Sequence, residues 1–526
     1  MGLMVDTVAP AVLKEMFVDG EELTLLDVRE EGVFSQAHLL FACSVPLSRL
    51  ELLIADLMPR RSTRTVLCDA ADGLAERAAA KLASFGYTNV AVLDGGTDGW
   101  RESGGELFSG VNVPSKAFGE FVEVTYHTPN ITADELKAKL DAGVDMVVLD
   151  SRPFTEYRRM SIPAGIDVPG AELAYRVHDI APSAGTLVVV NCAGRTRSII
   201  GAQSLVNAGI PNPVMALRNG TMGWELAGYE PERGMERRAL EISEDGLVKA
   251  KASADRVGQR FGVETIDAAT LQTWRGEAGQ RTLYLFDVRN PEEYEAGHMP
   301  GSISAPGGQL VQATDKYAAT RNARVVLVDD NGVRATMTAS WLIQMGWCDT
   351  VVLGGGLAAG GLVTGPHTTH ILGDGDARSV SSETLDNWLT AGEVTIIDLG
   401  RSLDYREGHI SGAWFAVRSR LAQALKRIPK ASNMVFTSGD GCLARLAAAE
   451  TGEVYLDGGT AAWIASGRAI ADGEENMADV TDDMWLRPYD RAGDVEEAMN
   501  EYLAWEIDLV DQIERDGTAR FRAYPA

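Results

Sequence analysis

Of five cysteines in the chain, Cys43, Cys68, Cys192, Cys348 and Cys442, it is Cys192 that stands where a thiol can act as a nucleophile. It follows the apolar run LVVVN and opens the loop CAGRTRS, which gives way to a helical pattern, RSIIGAQSLVNAG. A strand that turns through a short loop into a helix points several backbone N–H groups at one spot, where the helix dipole adds positive potential. Ala193, Gly194, Arg195, Thr196 and Arg197 are small, flexible or basic, so they suit a cradle for an anion. The same field is expected to hold the Cys192 thiol below its ordinary pKa and enlarge the nucleophilic thiolate fraction. Such a loop points to covalent transfer through the cysteine, with no neighbouring base.

The remaining composition narrows the classes of function. The cysteines are widely spaced, odd in number and form no Cys-x-x-Cys pair, which argues against a disulfide framework or a zinc site. Reduced thiols and a cytoplasmic setting are expected, since MGLMVDTVAPAVLKEMFVDG lacks a basic start followed by an apolar run and no stretch reaches the length of a membrane span. A formal charge of −27 repels nucleic acid and acidic membrane surfaces. An anion is then bound only where arginines and N–H groups gather, as they do around Cys192.

The elements that position this loop occur four times. LTLLDVREEGVF, MVVLDSRPFTEY, LYLFDVRNPEEY and VTIIDLGRSLDY each end an apolar strand on Asp, at Asp27, Asp150, Asp287 and Asp398. Seven residues later stand Phe34, Tyr157, Tyr294 and Tyr405; eleven later stand His38, Ser161, His298 and His409. A second strand ends 42 residues past the Asp at Asp69, Cys192 and Asp329, and 40 past it at Ser438. Each unit closes on a glycine turn, VLDGGTDGW, ALRNGTMGW, VLGGGLAAG or YLDGGTAAW. Short β-branched runs alternating with helical segments predict a parallel sheet flanked by helices in each unit, an α/β fold.

Four domains follow, over 1–104, 127–229, 262–365 and 377–470, with a C-terminal extension over 471–526. The first linker, GGELFSGVNVPSKAFGEF, is rich in Gly and Pro and is expected to run as an extended surface strap. The second, roughly 229 to 262, reads as partly helical. In the extension, Met499, Leu503, Ile507, Val510 and Ile513 fall at helical spacing and predict an amphipathic helix packed on the body.

The Asp-x-Arg strand end, the glycine-Trp turn and the Cys-x-x-x-x-Arg loop together resemble the rhodanese family over nearly the whole chain. The resemblance implies that Cys192 accepts sulfane sulfur from thiosulfate or a similar small anionic donor. The resulting persulfide passes it to cyanide, a thiol or a sulfur-acceptor protein, with no cofactor beyond that covalent intermediate. It also implies that each sheet has about five strands, that Ala193 to Arg197 hold the persulfide and that Arg152 lies near the active loop. Asp69, Asp329 and Ser438 depart from the pattern; a carboxylate cannot accept sulfane sulfur, so the first, third and fourth units are expected to be catalytically silent.

Plainer roles are expected for most other residues. Cys68 falls within a strand by the 42-residue spacing, and nothing brings Cys442 to Cys192 as a sulfur relay. Asp150 and Arg152 recur in silent units, as Asp27–Arg29 and Asp287–Arg289, which favours a structural part for them. Trp224 repeats as Trp100 and Trp463 and is expected in the core, while Arg158 and Arg159 are expected at the surface. The unit that holds the cysteine has Ser161 in place of histidine, so histidine chemistry is not expected, and His367 with His370 lacks further ligands for a metal. Two other functions compete. One is a scaffold or sulfur sensor. The other is a cysteine-dependent phosphatase or arsenate reductase, although Cys192 and Arg197 enclose four residues where the dual-specificity phosphatases that resemble this fold enclose five.

Overall fold

The computed structural model describes residues 5–373, 375–491 and 493–524. The strand LVVVN shows why a parallel sheet forms: every residue of Leu187–Asn191 is buried, as a β-branched run covered by helices on both faces must be. It is the central strand of a five-stranded parallel sheet in the order Asn130–Ile131, Val214–Leu217, Leu187–Asn191, Met146–Asp150, Ile166–Asp167. The third and fourth units repeat this order around Arg324–Val328 and Asn433–Thr437. The first repeats it around Thr65–Cys68 and gains a further edge, because Thr320–Arg321 of the third unit pairs antiparallel with Thr24 and Leu23.

In each sheet the Asp-ended strand lies beside the central one in a fixed register. Asp27 pairs with Cys68, Asp150 with Asn191, Asp287 with Val328 and Asp398 with Thr437. The next residue of the central strand, Cys192 in the second unit, therefore leaves the sheet at its C-terminal edge, where open α/β sheets bind ligands.

The linkers divide in outcome. The first is not a surface strap: Val113–Tyr126 is a helix with Val113, Ala117, Phe118 and Val122 buried. Pro114 sits in its first turn, where a missing N–H costs nothing, so the proline starts a helix instead of marking extended chain. Phe118 meets Trp341 of the third unit and Phe521 of the C-terminal tail at centroid distances of 6.0 and 5.1 Å. The second linker contains the helix Glu244–Phe261, capped by the Ser243 hydroxyl, which accepts from the Gly246 N–H.

The extension forms the helix Val495–Asp516, opened by Asp494, whose side chain accepts from the N–H groups of Glu496 and Glu497. Its buried face holds Met499, Leu503 and Leu509, but the expected Ile507 is 51% exposed and the neighbouring Glu506 is buried in its stead. No helix among the described residues is long and apolar enough to cross a membrane. Because Phe118 is fully buried among three parts of the chain, Phe118→Ala should destabilise the fold by about 3–5 kcal/mol. A surface strap would lose under ~0.5 kcal/mol. Urea unfolding followed by tryptophan fluorescence separates the two.

Candidate functional site

Cys192 is 2% exposed, at the end of the central strand and six residues before Ser198 in the helix Thr196–Ala208. Its thiol donates to the Ser198 hydroxyl at 3.5 Å, and that hydroxyl donates to the Arg195 carbonyl at 2.8 Å. The glycine turn locks the loop from behind: Thr221 N–H donates to the Cys192 carbonyl and Met222 N–H to that of Ala193, at 2.8 and 2.9 Å. A Cβ on Gly220, whose φ is +54°, would lie 2.3 Å from the Cys192 carbonyl oxygen, so this position admits glycine alone.

The three sister loops show what the helix N-terminus holds. Asp69 accepts from the N–H groups of Ala71 and Ala75 at 2.8 and 2.9 Å. Asp329 accepts from Asn331, Gly332 and Ala335 at 3.2, 2.5 and 3.1 Å, and the Ser438 hydroxyl accepts from Ala444 N–H at 3.3 Å. Each thus fills its own cradle with a side-chain oxygen, at the residue six positions on, which is where Ser198 stands relative to Cys192.

The two loop arginines do not stand free to meet an anion. Arg195 donates to Glu120 at 2.7 and 2.6 Å, to Glu123, and to Asn219 at 3.2 Å. Arg197 donates twice to Glu156, at 2.9 and 2.8 Å, and to Gln309 of the third unit at 3.2 Å. With both guanidinium groups matched by carboxylates, burial is the largest influence on Cys192 and pushes its thiol up, against the lowering effects of Arg197 and of Ser198. The expectation of a thiol held below its ordinary pKa is corrected accordingly.

Arg152 is likewise drawn elsewhere. It is 2% exposed, its Nε and Nη2 donate to Asp150 at 2.8 and 2.7 Å, and Nη2 also donates to the Met160 carbonyl at 2.5 Å. Arg29–Asp27 and Arg289–Asp287 repeat this bridge, including the bond to a carbonyl eight residues on. The arginine implied by resemblance to lie near the active loop thus clamps the end of the neighbouring strand. His38, His298 and His409 stack on Phe34, Tyr294 and Tyr405 at 3.9, 3.7 and 3.8 Å, and burial pulls His38 down to about 4. Cys68 is fully buried in its strand, Cys442 opens the helix Cys442–Thr451, and Trp224 lies in the core. Arg158 and Arg159 are largely exposed, with Arg159 paired to Asp490, and His367 pairs with Asp56 at 2.8 Å.

Sequence reasoning missed the groups that roof the cysteine. Gly194 faces Tyr502, Leu503 and Glu506 of the C-terminal helix, and the Thr196 hydroxyl donates to Glu506 at 3.5 Å. Beside them Lys116, from the first linker helix, lies over the rings of Trp485, Tyr502 and Trp505 at 5.2, 4.8 and 4.6 Å. Burial lowers the Lys116 ammonium to about 8, while the three ring faces favour its charge. One signal was available: Glu506 interrupts the apolar stripe on the face that is buried.

Four parallel α/β units, the second presenting a cysteine at the end of its central strand, define a tandem cysteine-loop protein. The rhodanese-like domain profile matches residues 9–103, 132–227 and 267–360, more than half of the chain, which therefore belongs to the rhodanese family. The fourth unit lies outside those matches yet has the same strand order. The crystal structure of thiosulfate sulfurtransferase from Pseudomonas aeruginosa is similar at 51% identity and a TM-score of 0.95, covering 99% of this chain and 100% of that one. The uncharacterized protein YqhL of Bacillus subtilis is 34% identical over 87 residues, 16% of this chain and 68% of YqhL. The tRNA uridine(34) hydroxylase of Erwinia tasmaniensis is 22% identical over 146 residues, 25% of this chain; the chain spans 42% of that relative's length.

A raised thiol pKa has a measurable sign. Iodoacetamide should label exposed Cys348 before Cys192, and Cys192 labelling should keep climbing with pH past ~8.5, the range of an ordinary thiol. Peptide mass spectrometry reads both rates. Labelling of Cys192 that levels off below neutral pH would mean that the helix field outweighs burial.

Proposed function

We propose that the chain is a sulfurtransferase in which Cys192 carries sulfane sulfur as a persulfide. The single observation that supports this most is the contrast among the four cradles: three are filled by the chain's own side-chain oxygen, and the second offers a thiol instead. The relative that is 51% identical over 99% of the chain bears the name thiosulfate sulfurtransferase, which supports thiosulfate as donor.

In this reading the Cys192 thiolate attacks the outer sulfur of thiosulfate. The Sγ–S bond forms as the S–S bond of thiosulfate breaks, and sulfite leaves with the electron pair. A thiophilic acceptor, a thiol or cyanide, then attacks the outer sulfur, and Cys192 regains the electrons as thiolate. The N–H groups from Ala193 to Arg197 stabilise each anionic stage, and no cofactor enters either step. Arg195 and Arg197 act by holding the loop's shape through Glu120, Glu123 and Glu156. The units over 1–104, 262–365 and 377–470 take no sulfur; Asp69, Asp329 and Ser438 cap helices in them.

Since Cys192 is nearly inaccessible, substrate entry requires the C-terminal helix to yield, and the donor's first step is then paced by that opening. Incubation of the full chain with thiosulfate should add one sulfur to the peptide that holds Cys192, and added cyanide should release it as thiocyanate. Cys192→Ala should abolish both, while Asp329→Asn leaves sulfur uptake in place. Thiocyanate formation that survives Cys192→Ala would sink the assignment. A chain that gains sulfur on Cys192 but turns over no acceptor would be a sensor instead of an enzyme.

A further inference from the structure

The C-terminal helix brings a carboxylate against the Cys192 loop, beside Gly194 and Thr196. Glu506 is 2% exposed. Its Oε1 accepts from the Tyr502 hydroxyl at 2.9 Å and from Thr196 at 3.5 Å. Its Oε2 is shut from solvent with no hydrogen-bond partner, and it lies 3.2 Å from the point a Cβ on Gly194 would occupy, two residues along the loop from Cys192. A buried carboxylate oxygen left unpaired is costly, and here the orphaned oxygen lies against Gly194 of the loop. A visiting group that carries a proton would satisfy it; an anion would be repelled.

We propose that Glu506 is a catalytic residue of the discharge step, where it selects a thiol acceptor by taking its proton. This rests on the persulfide reading of Cys192. The persulfide anion left by the charging step takes one proton from water to become Cys192–S–SH, and the acceptor R–SH approaches it with its own proton toward Oε2. The proton passes to Glu506 as the acceptor sulfur bonds to the outer sulfur. The Sγ–S bond breaks, and its electron pair stays on Cys192 as thiolate. R–S–SH leaves, and the proton on Glu506 returns to the Cys192 thiolate. Cys192 is reduced from persulfide to thiol while the acceptor is oxidised from thiol to persulfide, so no other reductant is needed. Tyr502 is a positioning residue: its hydroxyl occupies Oε1 and leaves Oε2 as the proton acceptor.

The test uses the full chain loaded with thiosulfate and freed of excess donor. Discharge is followed in single turnover with dithiothreitol, a neutral thiol, or with sulfite, whose dianion has no proton to give. Glu506→Gln should load no more slowly than wild type. It should lose about a hundredfold in discharge to dithiothreitol, the size of a general-base contribution. Discharge to sulfite should hold or rise, and the thiol deficit should close as the pH nears the thiol's own pKa. Equal discharge of dithiothreitol by variant and wild type overturns the proposal, as does an equal loss with both acceptors. Should Glu506→Gln take up no sulfur, Glu506→Asp, which keeps the charge, must load and prefer the thiol; failure there also overturns it. Failure of the wild type to load counts instead against Cys192 as sulfur carrier.

Discussion

The structure turns on a ring of backbone N–H groups at the start of one helix per unit, which must be given something electron-rich to hold. Unpaired donors at a buried helix N-terminus are unfavourable, so the chain fills the ring wherever it can. Asp69 and Asp329 do so with a carboxylate bonded to two or three N–H groups, and Ser438 with a hydroxyl. The oxygen-bearing residues in these three loops are therefore good helix caps, and an aspartate there has a structural advantage over a thiol. In the second unit a thiol, a weak hydrogen-bond acceptor, stands in that place and donates to the Ser198 hydroxyl, while the Ser198 N–H donates to the Arg195 carbonyl at 3.1 Å.

Charge around that ring is balanced instead of accumulated. Arg195 and Arg197 would raise the local potential if they were free, yet Glu120, Glu123 and Glu156 hold them in forked pairs. Two of those carboxylates come from the first linker helix, and Gln309 comes from the third unit. The loop is thereby stiffened by parts of the chain outside its own unit. Arg197 and the Ser198 hydrogen bonds still favour the Cys192 thiolate, but burial outweighs them.

How much of this was legible depended on whether a residue's partner lies in its own unit. Asp150 and Arg152 pair two residues apart, Tyr157 donates to the carbonyl of Gly165, and Gly220 backs Cys192 within one domain, so each left a spacing that recurs through the chain. The helix Val113–Tyr126 left no such trace. The linker's glycines and Pro114 read as extended chain, and what supports the helix is burial of Phe118 against Trp341 and Phe521, more than 200 residues away in sequence. Glu506 was hidden for the same reason. Helical periodicity located the element but set its inner face one residue off, at Ile507, because Thr196 and Gly194 could not be foreseen as its neighbours.

That misplacement bears on why four units persist around one thiol. A single domain can build the cradle from local sequence, as the three sister loops do. It cannot enclose the cradle, since its own helices cover the faces of the sheet and not the edge where the loops emerge. Here the edge is closed by Tyr502, Leu503 and Glu506 from the C-terminus, with Lys116 of the first linker caged among Trp485, Tyr502 and Trp505 beside them. The C-terminal helix is in turn anchored on that linker helix and on the first unit, where Leu509 joins the core that holds Trp100 and Phe108. The first unit thus sets the position of the roof, the third sets Arg197 through Gln309, and the fourth braces the first through Arg418 on Glu51 at 2.7 Å. Enclosure of the Cys192 thiol is a tertiary property, supplied by parts of the chain outside the unit that holds it.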